Sequence, residues 1–162
     1  MNAPCDSIRL AAAADEDSIL GLAGRIENFQ TEDVECIRQL WRDYLTGGED
    51  PDRYHFLVFE EGGVIRAFAC YGHRPLTRGA YDFYWLATDP ETRGRGIGRR
   101  LMARVEAEIR GLGGYLVLIE TSDSSAFENT RRFHESNGYI RIGEVADFYA
   151  PGDGLVMYQK KV

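Results

Sequence analysis

The sequence has little cysteine, little histidine and no apolar run that approaches the roughly 20 residues needed to cross a bilayer as a helix. Cys5, Cys36 and Cys70 are odd in number and widely spaced, which excludes a disulfide framework and a zinc knuckle and predicts three reduced thiols. His55, His73 and His134 have no ligand-like spacing, so no metal is expected. There is no internal repeat, no low-complexity segment and no linker, and residues 1–162 are expected to form one domain. The opening, MNAPCDSIRLAAAADED, lacks a basic start and a long apolar segment, so no signal peptide and a cytoplasmic location are expected, with no membrane association. The net charge of −7 disfavours nucleic acid, whose binding needs Lys and Arg against phosphates. It would suit a cationic substrate through long-range attraction, although net charge also simply serves solubility.

Against that acidic background stands PETRGRGIGRR, residues 90–100, with three glycines and four arginines in eleven positions. The pattern around it is regular. Ser7–Leu10 begins a strand. Asp15–Asn28 reads as a helix with Ile19, Leu22 and Ile26 at helical spacing. Thr31 is placed as the N-cap of a second helix bearing Val34, Ile37, Leu40, Trp41 and Leu45 on one face. Strands at 54–60 and 64–73 flank the turn EEGG, and YDFYWLAT (81–88) follows. After the glycines, Ile97, Leu101, Val105 and Ile109 mark an amphipathic helix. YLVLIET (115–121) is nearly all apolar, which predicts a strand buried on both faces. Ser125 and Glu128 fit a capping box for a helix that ends at Asn137-Gly138, and strands at YIRIGEV and LVMYQKK are joined by the loop ADFYAPGDG. The order predicts a mixed α/β sheet.

The glycine-arginine stretch lies between a strand and a helix, where unpaired amides and the helix dipole attract anions. Three designs for phosphate compete with a plain solvated turn. No G-x-x-x-x-G-K-[S/T] run exists, which removes the P-loop. Gly94 and Gly96 begin a dinucleotide fingerprint, and Glu120 even supplies a later acid. The third glycine position is Arg99, however, and the match does not open a βαβ unit. The third design, R-x-x-G-x-G, is met by Arg93, Gly96 and Gly98. Three glycines at a helix start weaken it by up to about 1 kcal/mol each, a cost easier to understand if a ligand uses the backbone.

With LATDP before it, the amphipathic helix after it, then LVLIETS and RRFHESNGY, this stretch resembles the GNAT superfamily of acetyl-CoA-dependent N-acetyltransferases over residues 7–160 or so. The resemblance implies a mixed, mostly antiparallel central sheet of about seven strands, with about four helices packed on both faces. It implies acetyl-CoA as co-substrate, a small-molecule or peptide amine as acceptor, direct transfer in a ternary complex and, as in many relatives, a possible homodimer.

The resemblance also implies site residues. Leu86 would polarise the thioester carbonyl through its N–H, with Ala87 beside it and Thr88 pairing with the pantetheine arm. Arg93, Gly94, Arg95, Gly96, Ile97, Gly98 and Arg99 would cradle the pyrophosphate, with Arg100 near enough to add charge. Asp82 and Glu120 are rival bases, and Asp82 could equally just pair with an arginine. On a regular strand Asp82, Tyr84, Leu86 and Thr88 would share one face. The family's usual acid is a tyrosine; His134 stands there, with Tyr139, Tyr149 or solvent as alternatives. The family's helical asparagine is also offset, at Asn129. Tyr84 and Tyr149 are candidate acceptor contacts, and Phe29, Trp41 and Tyr44 could face acceptor or core. A CoA-binding module without catalysis is the alternative from another class.

Overall fold

The computed structural model describes residues 6–162, so Cys5 lies outside the described residues. Seven strands form one sheet: β1 (Ser7–Leu10), β2 (Tyr54–Glu61), β3 (Val64–His73), β4 (Ala80–Thr88), β5 (Leu116–Ser122), β6 (Ile140–Ala150) and β7 (Asp153–Lys161). The order is β1-β2-β3-β4-β5-β7-β6. Every pairing is antiparallel except β4 with β5. This is the mixed, mostly antiparallel sheet expected.

Helices α1 (Glu16–Ala23) and α2 (Thr31–Thr46) cover one face of β2–β4. Their Ile19, Leu22, Ile37 and Trp41 are fully buried against Phe56, Val58, Phe68 and Cys70. Helix α3 (Ile97–Gly111) covers the other face. Its predicted stripe of Ile97, Leu101, Val105 and Ile109 packs on Leu57, Phe59, Ala69 and Phe83. Burying each such large apolar side chain is worth roughly 1.5–3 kcal/mol. Helix α4 (Glu128–Ser136) lies on the same side and reaches that core through Phe133.

Several local expectations differ from the structure. Helix α1 ends at Ala23, not Asn28; residues 24–29 continue as turns, with Phe29 N–H donating to Ile26 O, and so release Glu27 to Phe29 toward the end of β4. Thr31 is the first residue of α2, and the Asp33 carboxylate accepts the N–H of the preceding Gln30 at 2.7 Å. No Ser125–Glu128 capping box forms: residues 125–127 make a 3₁₀ turn, pinned by Arg131 donating to the carbonyls of Ser122 (2.7 Å) and Ser124 (2.8 Å). Strand β5 is not buried on both faces. Val117, Ile119 and Thr121 are buried, whereas Leu118 and Glu120 face an open cleft. Most of ADFYAPGDG is strand, since β6 runs on to Ala150 and β7 starts at Asp153.

The difference with most consequence lies in β4. Tyr71 pairs with Phe83 and Cys70 with Trp85, which leaves Tyr84 as an extra residue, a β-bulge. Before the bulge, Tyr81 and Phe83 face α3. After it, Leu86 faces α3 while Trp85 and Ala87 face α1 and α2. Asp82, Tyr84, Leu86 and Thr88 therefore do not share one face: the bulge turns Leu86 and Thr88 to the side opposite Asp82 and Tyr84.

Candidate functional site

Strands β4 and β5 pair only from Ala80↔Leu116 to Asp82↔Leu118, then diverge. Beyond that point the edge of β4 has no ladder partner in β5, so its backbone groups are free for another molecule. A cavity of about 440 Å³ opens in the gap, lined by Phe83 to Thr88, by Ile119 to Thr121, and by Phe133 and His134 of α4. It runs down to Arg93 and Gly98 at the head of α3.

Two features there fit a pyrophosphate. Gly94 and Gly96 have φ of +78° and +75°, a conformation in which a side chain is strained, and no heavy atom lies within 4 Å of where a Cβ would stand at either. The loop thus presents bare backbone to open space. The first bond within α3 is Arg100 N–H to Gly96 O at 3.0 Å, so the N–H groups of Ile97, Gly98 and Arg99 have no partner within the helix and carry its dipole. Gly98 serves packing: a Cβ there would meet Thr88 Oγ1 at 3.3 Å and Phe133 at 3.5 Å. The loop is anchored by Asp89, which is 2% exposed. Burial alone would raise its carboxyl, but the Glu91 N–H at 3.1 Å and Arg66 Nη1 at 2.9 Å outweigh burial and hold it below the usual carboxylate range.

The arginines divide. Arg93 lines the cavity and pairs with Glu27 at 3.3 Å. Arg95 pairs with Glu61, and Arg100 with Asp6 at 3.3 Å while lying over the Phe59 ring. Arg99 is exposed and makes no ion pair among the described residues.

A second cavity, about 1310 Å³, adjoins the first through Tyr84, Trp85, Glu120 and Phe127, which line both. Asp82 and Glu120 meet here, on neighbouring strands and the same sheet face. Arg74 Nη1 donates to Asp82 Oδ1 at 2.8 Å, and Tyr84 Oη lies 3.4 Å from Oδ2. Burial and the Asp82 charge raise the Tyr84 phenol well above its ordinary value. Tyr149 reaches this cavity from β6, half exposed, its phenol pushed up by burial to about 12.

His134 lines the first cavity at 6% exposure among Phe133, Tyr139 and Tyr158, and burial pushes its imidazole down to about 4. Its Nδ1 is enclosed without a hydrogen-bond partner. Tyr139 is 3% exposed and lines neither cavity. Of the aromatics near α2, Trp41 is wholly buried and Tyr44 donates its hydroxyl to Ala11 O at 2.6 Å, so both are core; Phe29 lines the first cavity, edge-on to Trp85. Asn129 also lines this cavity. Sequence reasoning missed Arg74, Glu27 and Phe127. Arg74 sits in the β3–β4 turn and Glu27 inside the expected helix, and neither carries a local signal.

Among the described residues, no group of His, Cys, Asp or Glu could hold a metal, and no helix is long and apolar enough to cross a membrane. Cys36, exposed, and Cys70, buried, are free thiols.

The acetyltransferase (GNAT) domain model matches residues 52–141, more than half of the chain. A putative acetyltransferase of the GNAT family from Desulfovibrio desulfuricans is 30% identical, with a TM-score of 0.92 over 97% of this chain and 99% of that one. Two further solved structures share the fold. A putative acetyltransferase from Salmonella typhimurium, solved with its cofactor acetyl-CoA, is 23% identical, with a TM-score of 0.74 over 97% and 94% of the two chains. The ribosomal-protein-S18-alanine N-acetyltransferase from Escherichia coli is 17% identical, with a TM-score of 0.78 over 98% and 94%. An uncharacterized protein of Mycobacterium leprae is 32% identical over 87 residues, 54% of this chain but only 22% of that protein, so the chain spans about a fifth of that curated relative.

Proposed function

The chain belongs to the GNAT family of acetyltransferases, and from that premise we propose that it moves an acetyl group from acetyl-CoA to a primary amine, directly, with both substrates bound at once. The observation that carries this reading is the parting of β4 from β5 above the Gly94–Gly98 loop, with a second cavity meeting the first at the point of divergence.

The N–H groups of Arg95, Gly96, Ile97 and Gly98 would hold the pyrophosphate, with Arg93 and Arg99 adding charge around Gly94. Thr88 and Ala87, at the end of β4, would guide the pantetheine arm. Bound there, acetyl-CoA supplies a thioester whose C–S bond breaks as the C–N bond forms. Leu86 would donate its N–H to the carbonyl oxygen as negative charge gathers on it, an interaction worth about 2.7–4 kcal/mol. Asp82 or Glu120 would take the proton that the acceptor ammonium must lose before it attacks. A base of this kind contributes roughly 10²–10⁴ in rate. Tyr84 and Tyr149 would line the path of the acceptor. His134 is uncharged at neutral pH, so it could offer the leaving thiolate only the N–H of a neutral ring, a weaker acid than imidazolium.

The test is calorimetric titration with acetyl-CoA, with NAD and ATP as controls, on the wild type and on Gly96→Glu. At Gly96 a side chain is strained, by about 1–2 kcal/mol, and the carboxylate would repel a pyrophosphate. The expected outcome is binding of acetyl-CoA alone, weakened at least tenfold in the variant. Equal binding by the variant would remove the cradle and the reading with it. One observation favours a second reading, a CoA-binding module without turnover: Asp82 is already engaged by Arg74. Binding without acetylation of any amine would support that reading.

A further inference from the structure

We propose that the acceptor is a polycation: a primary amine on a flexible chain that carries at least one further cationic group. This rests on the acetyl-transfer reading above and names the substrate class of the same site.

The acceptor cavity is defined by the parting of β4 and β5, independently of its charge. At about 1310 Å³ it is larger than the usual range for small-molecule pockets, and much larger than a simple monoamine fills. Six carboxylates line it: Glu27, Glu32, Asp33, Asp82, Glu120 and Asp153. One cation, Arg74, faces them. Four of the six have a partner. Asp82 is held by Arg74 and Glu27 by Arg93, Asp33 accepts the Gln30 N–H, and Asp153 accepts the Ser122 hydroxyl. Glu32 and Glu120 make no ion pair among the described residues.

Position sharpens the point. Glu32 and Asp33 stand in the first turn of α2, where the helix dipole favours acids whether or not a ligand is bound. Glu120 has no such reason to be there. It interrupts the apolar run of β5 and projects, exposed, into the cleft that both cavities share. Two aromatic rings also stand exposed in the same cavity, Tyr84 at 37% and Tyr149 at 49%. Ring faces attract cations independently of carboxylates. A monoamine would meet Asp82 or Glu120 and leave the other acids that line the cavity, Glu32 among them, without a cation. A second cationic group on the same chain would meet a further carboxylate, Glu32 or Glu120, that has no ion-pair partner among the described residues. An anionic acceptor would be repelled.

The experiment compares initial rates of acetyl transfer to n-butylamine, 1,4-diaminobutane, spermidine and a lysine–arginine tetrapeptide. The wild type and a Glu32→Gln/Asp33→Asn double variant are both assayed, at low ionic strength and at 0.5 M salt, where screening reaches a few ångströms. The expected result is a kcat/KM for 1,4-diaminobutane or spermidine at least tenfold above that for n-butylamine. That ratio should narrow in high salt and fall at least threefold in the double variant. The tetrapeptide distinguishes a peptide source of the second charge from a small polyamine. Equal kcat/KM for n-butylamine and the diamine would overturn the inference while leaving the acetyltransferase reading intact. So would acetyl-CoA binding without transfer to any of the polycations. Failure to bind acetyl-CoA at all would overturn the reading beneath it.

Discussion

Arg74 reaches from the β3–β4 turn to Asp82, Nη1 to Oδ1 at 2.8 Å, within the lining of the larger cavity. The guanidinium occupies the place at Asp82 that an acceptor ammonium would take. If Asp82 is the base, the acceptor must displace Arg74 or approach the other carboxylate oxygen. If Glu120 is the base, the Arg74–Asp82 pair is structural.

Asp82→Asn and Glu120→Gln separate these roles. Loss of the base is expected to lower kcat by about 10²–10⁴, with acetyl-CoA affinity unchanged because neither residue lies in the glycine loop. Steady-state kinetics on both variants, beside calorimetry with acetyl-CoA, identify which residue bears the loss. If neither variant loses kcat, neither carboxylate is the base.

His134 makes stability depend on pH. Burial holds its imidazole at about 4, against about 6.5 in an unfolded chain. Between those values the unfolded chain binds a proton that the folded ring does not. Stability is therefore full above pH 6.5 and falls as pH drops toward 4, by about 3 kcal/mol. His55, also lowered by burial, acts in the same direction. His134→Phe is expected to flatten the decline. Thermal melts at pH 7 and pH 4.5 measure it, and an unchanged difference in Tm between the two would refute the assignment.

Asp89 couples core stability to the glycine loop. It accepts from Arg66 and Glu91, lies 3.5 Å from Arg25 and directly precedes the turn into Gly94. Asp89→Ala would remove the main partner of the Arg66 guanidinium, whose Nε already has no partner and which would keep only Glu91 at 3.9 Å. The expected cost is about 3–5 kcal/mol, a fall in Tm of about 10 °C. A weaker affinity for acetyl-CoA should accompany it, because the loop loses its anchor. Unchanged melting and binding would show that the anchor is dispensable.

The local elements were largely readable from the sequence. The four-residue recurrence of Ile97, Leu101, Val105 and Ile109 specified the buried stripe of α3, because a helix repeats its faces whatever it packs on. Gly94 and Gly96 announced a loop of unusual backbone, because that property belongs to the residues themselves. The end of α1 was not readable: Glu27 to Phe29 leave the helix to pack beside Trp85 of β4 and Arg93, residues some sixty positions away.

What the sequence by itself determined was therefore the set of elements and the bare, glycine-rich backbone of the 90–100 stretch, both products of short-range backbone chemistry. The tertiary structure alone decided which side chains face the cleft between β4 and β5. The bulge at Tyr84 exists only in the register of β4 against Cys70 and Tyr71, and it sends Leu86 and Thr88 to one face and Asp82 to the other. The parting of β4 and β5 likewise depends on pairing across the sheet. So does the cavity, where Arg74, Asp82 and Glu120 meet from three separate segments, because no local pattern encodes the register between strands.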